Sequence, residues 1–110
     1  MKIRIYQIDL KLDVQNVAFR SHADMKNRYG GRVPAELYHK VYEGTVEADN
    51  LEDVFFIFNM DHPRDFRARS LSLSDVVEIV EGNSSSFHIC DTMGFIEVSF
   101  DTSVVQEDPQ

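Results

Sequence analysis

The chain has 110 residues, a hydrophobic fraction of 43% with eight Phe and four Tyr, a single Cys and a formal net charge of −8. That length holds one domain of ordinary size, and its large side chains supply one core without disulfide or metal staples. An acidic balance with pI near 4.8 argues against general binding to nucleic acid or anionic membranes, which needs a clustered basic surface. The start, Met1-Lys2-Ile3-Arg4-Ile5-Tyr6, alternates charged and apolar residues and contains no long apolar run. Neither a signal peptide nor a spanning helix fits it, so a soluble protein of the cytoplasm is expected. Cys90 as the lone cysteine suits a reducing compartment. The charge is uneven: residues 1–40 carry eight Lys or Arg against four Asp or Glu, and residues 41–110 carry three against fifteen, so +4 and −12 recover the −8.

In chain order, Ile3, Ile5 and Ile8 among Lys2, Arg4 and Asp9 predict an opening strand whose alternation breaks at Gln7. Val17-Ala18-Phe19 is expected to pack on that strand. Ser21 then offers a hydroxyl cap for a short helix over 21–29, which Gly30-Gly31 ends. After Pro34, the residues Tyr38, Val41, Tyr42, Thr45 and Val46 favour a strand over 37–46. Asn50 is the clearest helix start, with Glu52 and Asp53 at the positive dipole end. Leu51, Val54, Phe55 and Phe58 follow at helical spacing, and Phe56 and Ile57 thicken the stripe, which predicts a helix over 51–59 buried on most of its circumference.

Between Ser70 and Ser74 serine alternates with leucine, and the alternation predicts buried Leu71 and Leu73 with the serines turned to backbone or solvent. The β-branched run Val76, Val77, Ile79 and Val80, closed by Gly82-Asn83, and a second apolar set from Phe87 to Phe100 predict a C-terminal β-hairpin. A helix from Ser72 with Asp75 as its capping box is the rival reading. The fold class is therefore α+β, a single domain over 1–101 with a mainly antiparallel sheet and two short helices, followed by a flexible acidic tail over 102–110.

No phosphate loop, dinucleotide fingerprint, zinc-ligand spacing or nucleophile elbow is present in the sequence. Weaker constellations remain. His88 and Cys90, with Asp91 beside them, share one side of a strand, the placement of a metal pair or a thiolate and imidazole couple. His22, His39 and His62 are scattered, so no metal and no cofactor is expected, and Cys90 reads as a buried residue. Arg67, Arg69, Ser72, Ser74 and Asp75 form the most distinctive stretch. Its guanidinium forks and hydroxyls could grip a carboxylate or phosphate, but the favoured expectation is structural: Arg67 and Arg69 pair with nearby acids while Ser72, Ser74 and Asp75 make local turn hydrogen bonds. Asp61-His62-Pro63 reads as a helix-ending turn.

The chain resembles the YodL-like domain family, small bacterial domains often encoded on conjugative or phage-like elements. The resemblance is carried by Val17-Ala18-Phe19, Leu51-Glu52-Asp53-Val54, Phe58-Asn59, His62-Pro63 and Phe66-Arg67. It continues through Arg69-Ser70-Leu71-Ser72-Leu73-Ser74-Asp75-Val76-Val77, Cys90-Asp91, Gly94-Phe95, Val98 and Phe100. It brings no activity, cofactor or catalytic residue with it. A complete-looking core without a catalytic constellation leads to the expectation of a non-enzymatic accessory module that binds another protein. Two alternatives stand beside it: an acidic DNA mimic that inhibits a nucleic-acid enzyme, and a ligand or enzymatic site at Arg67, Arg69 and Asp75 or at His88, Cys90 and Asp91.

Overall fold

In a computed structural model that describes residues 1–107, strand β1 (Lys2–Ile8) is an interior strand of the sheet with apolar side chains on both faces. Tyr6 and Ile8 point to a first face, where they pack with Val17, Met25, Tyr38 and Phe100. Ile3 and Ile5 point to a second face and pack with Val54, Phe58, Phe66 and Leu71. The break at Gln7 does fall near the strand end, one residue before Ile8, but the chain does not turn to solvent there. A strand covered on both faces has no polar side, and Gln7 follows Ile3 and Ile5 on the second face, 1% exposed.

The other elements in chain order are α1 (His22–Arg28), a 3₁₀ turn at Ala35–Leu37, β2 (Tyr38–Thr45), α2 (Leu51–Met60), β3 (Val76–Glu81), β4 (Ser84–Asp91) and β5 (Gly94–Val98). The sheet order is β2-β1-β3-β4-β5 and every neighbouring pair is antiparallel. The expected α+β architecture and its two helices are present. Among the described residues no helix is long and apolar enough to cross a membrane.

Ser21 Oγ accepts from Asp24 N at 3.2 Å to start α1, and Asn50 Oδ1 accepts from Asp53 N at 2.8 Å to start α2. α2 differs from its expectation on one point. Val54 and Phe58 are fully buried against the sheet, but Phe56 is 61% and Met60 72% exposed and Phe55 is also exposed. The helix lies on the sheet by one stripe only, and no element among the described residues covers its outer side.

The hairpin over β3 and β4 turns at Gly82-Asn83, where Glu81 pairs with Ser84 and Gly82 takes φ +61°, as a glycine at the first central position of a II′ turn does. The second apolar set is not one strand. It folds again at Thr92-Met93, so Asp91 pairs with Gly94 and β5 becomes the outer strand. The serine-leucine stretch is not a strand either. Leu71 is buried, Leu73 is half-buried and Ser74 is buried, because Ser74 sits in the left-handed region at φ +77° and the backbone turn there cancels the alternation. Residues 102–107, expected within the tail, form a 3₁₀ turn at Thr102–Val104 and then lie beside β2, with Gln106 N donating to Tyr38 O at 2.8 Å. The end of that tail, 108–110, lies outside the described residues.

Candidate functional site

The stretch from Arg67 to Asp75 crosses the second face of the sheet and ties itself to β1. Gln7 Nε2 donates to Arg69 O at 2.8 Å and to Asp75 Oδ2 at 3.1 Å, and Arg69 Nη2 donates to Ile8 O at 2.9 Å. The Arg69 guanidinium also lies 5.1 Å over the Phe19 ring, a cation–π contact. Asp75 Oδ2 accepts from Ser72 N at 2.8 Å, and Ser74 Oγ accepts from Phe19 N at 3.1 Å. Tyr38, itself fully buried, donates its hydroxyl to Ser74 O at 2.6 Å. Burial pushes the Asp75 carboxyl up to about 7, against the pull of the Ser72 N–H, Arg69 and Gln7.

Five residues singled out together therefore separate into two groups. Ser74 and Asp75 are buried and bond the core, while Ser72 uses its backbone N–H and a hydroxyl bond to Ser70 O inside the turn. Arg67 and Arg69 instead line a cleft of about 400 Å³ with Gln7, His39, Lys40, Val41 and Ala68. His39 stands directly across from Gln7 in the β1–β2 register, and Arg67 Nη1 donates to Arg64 O. His39 and Lys40 carried no sequence signal toward this cleft, because they are nearly thirty residues from Arg67 and come beside it only when β2 pairs with β1.

His88 and Cys90 share the second face of β4, as alternation requires, and Asp91 points to the other. They do not form a couple. His88 Nε2 lies 2.9 Å from Ser86 Oγ, and Asp91 Oδ1 accepts from His22 N at 3.0 Å. Cys90 is buried, and burial, with Asp75 and Asp91 nearby, pushes its thiol up to about 11. Among the described residues no three His, Cys, Asp or Glu side chains gather to hold a metal ion. One buried ionic group escaped the sequence reading. Glu78, 3% exposed, accepts from Tyr6 Oη at 2.7 Å, Arg4 Nη1 at 2.8 Å and Ser85 Oγ at 2.5 Å. The lone carboxylate within the β-branched run of β3 was its signal.

The outer side of α2 and the β4–β5 end of the sheet make a second exposed region. Phe55 meets Phe95 edge to face at 6.5 Å, above a cavity of about 280 Å³ walled by Glu52, Cys90, Asp91 and Gly94. Phe56 and Met60 continue this apolar surface along the helix. Met93, 96% exposed, stands at the β4–β5 turn, and Ile96 is exposed on β5. β5 ends the sheet, so its outward backbone edge has no partner strand among the described residues. Glu47, Asp49, Glu52, Asp53 and Asp61 flank or belong to α2, and the sequence has no Lys or Arg from 44 to 63 or after Arg69.

The profile of the YodL-like domain matches residues 2–100 of the chain. No curated protein and no solved structure matches it.

Proposed function

The chain belongs to the YodL-like domain family, and from that premise we propose that it is a non-enzymatic accessory module that binds another protein through the face shared by α2 and β5. The observation that carries this reading is the exposure of Phe55, Phe56 and Met60 on α2 and of Met93 at the β4–β5 turn, with Phe55 packed on Phe95 of the strand that ends the sheet. Contiguous exposed apolar groups and unpaired strand edges mark docking surfaces, since both lose free energy by standing in water. The surrounding acids set the partner's chemistry. The acids Glu52 and Asp53 on α2, in a stretch from 44 to 63 without any Lys or Arg, fit a segment that alternates basic and apolar residues. An extended segment of that kind adds to a sheet edge by main-chain hydrogen bonds and seats alternate side chains on the apolar row. The same aromatic row weighs against mimicry of DNA, which calls for carboxylates rather than phenylalanines on the contact face. A cytoplasmic module of a mobile genetic element is the setting that the family resemblance attaches to this role.

The test is selection of displayed random twelve-residue peptides on the whole protein, with counter-selection on the Phe56→Ser, Met60→Ser double variant. Enriched peptides that combine Lys or Arg with apolar residues and ignore the variant support the reading. Enriched peptides that bind both proteins equally would contradict it.

A further inference from the structure

We propose that the cleft between β2 and the 67–69 segment binds a small phosphate monoester, with its phosphoryl group held by Arg67 and Arg69. The cleft stands apart from the α2–β5 face and has its own chemistry. Its volume of about 400 Å³ lies in the range of small-molecule sites. Among the described residues no Asp or Glu lines it, in a chain whose net charge is −8. Its rear wall is built and not merely a gap, since Gln7 is 1% exposed and is fixed by its bonds to Arg69 O and Asp75.

Arg69 is held in place before any ligand arrives. Its Nη2 bonds Ile8 O and its plane covers Phe19, so little side-chain freedom remains to be lost on binding. Arg69 Nε and His39 Nδ1 are buried polar atoms with no partner among the described residues, and both belong to side chains of residues that line the cleft. Lys40 Nζ is paired with Glu43 at 2.7 Å and is neutralised there. Arg67 and Arg69 then carry the positive charge of the cleft, with Arg69 acting also on the buried Asp75 carboxyl. A phosphate monoester carries nearly two negative charges on one compact group at neutral pH, and guanidinium forks match its oxygens in pairs. A dicarboxylate spreads the same charge over two distant groups and fits two neighbouring forks less well.

The experiment titrates the isotope-labelled full chain with phenyl phosphate, and separately with inorganic phosphate and succinate, at matched ionic strength, following backbone amide resonances. Expected are saturable shifts at Gln7, His39 to Val41 and Arg67 to Arg69 with both phosphates, and far weaker ones with succinate. Arg67 is exposed, so Arg67→Ala leaves the fold intact and lowers phenyl phosphate affinity by about tenfold or more, the scale of a lost charge-assisted hydrogen bond. Lys40→Ala changes it by less than about twofold, because that ammonium is already paired. Shifts that never saturate, equal binding of succinate, or full affinity in Arg67→Ala would each overturn the proposal.

Discussion

Gln7 Nε2 donates to Asp75 Oδ2 at 3.1 Å, joining strand β1 to the turn that leads into its neighbour β3. Asp75 Oδ1, equally buried, has no partner among the described residues. The carboxyl is held up near 7 by burial, from an ordinary value of 3.8. Folding thus favours the protonated acid while the unfolded chain ionises early. In the window from about 4 to about 7 the folded state binds the extra proton, so this group's contribution to stability falls as pH rises. The full loss is on the order of a few kcal/mol. Chemical denaturation at pH 4.5 and pH 7.5 is expected to show lower stability at the higher pH, and Asp75→Asn is expected to remove most of that difference. Glu36 and Glu43, whose carboxyls are lowered from 4.5 chiefly by Arg32 and Lys40 respectively, act with the opposite sign at the lower edge of this window, and His22, lowered from 6.5 chiefly by burial, does so within it, so the comparison with Asp75→Asn isolates this group. Equal pH slopes in the two proteins would contradict the assignment.

Ser74 carries two opposed effects. Its hydroxyl satisfies Phe19 N, yet a side chain at φ +77° is strained. Ser74→Ala loses the bond and keeps the strain, at a cost of about 1–2 kcal/mol. Ser74→Gly loses the bond and relieves the strain, so it is expected to unfold at higher temperature than Ser74→Ala. Calorimetric melting of both variants decides this.

Leu71 and Leu73 are two residues apart and are not equivalent. Leu71→Ala removes a side chain packed with Val77 and Phe66 in the second core and is expected to cost about 2–5 kcal/mol. Leu73 is half-buried, and Leu73→Ala is expected to cost less than half as much. Urea midpoints of the two variants measure the difference, and equal losses would restore the strand reading of this stretch.

The buried Cys90 thiol, raised to about 11, is expected to resist alkylation in the native protein at pH 8 and to react at once in denaturant. Rapid native reaction with iodoacetamide would revive a catalytic role for His88, Cys90 and Asp91.

Local signals proved readable where one segment decided the outcome. Asn50 before Leu51 and Val54 announced α2, and Gly82-Asn83 announced the first C-terminal turn. Long-range placement was not readable. Gln7 stands near the end of β1 as its break in alternation implied, but its burial was hidden because its partners, Arg69 O and Asp75, lie more than sixty residues away. Phe55, Phe56 and Met60 read as core because spacing alone does not tell a stripe that is covered from one left open. The cleft draws on β1, β2 and the 67–69 segment, so its residues share no motif that a local pattern could contain.

The central claim is that the face of α2 and β5 receives a basic and apolar segment of another protein. The most direct measurement is amide chemical-shift mapping of a display-selected peptide on the isotope-labelled chain. The account predicts shifts along Gly94–Val98 and on the outer side of α2 at Phe55, Phe56 and Met60, with affinity falling as salt rises and about tenfold or more in Phe56→Ser. Shifts confined to β2 and the 67–69 segment, with Phe56→Ser binding as tightly as the native chain, would contradict it.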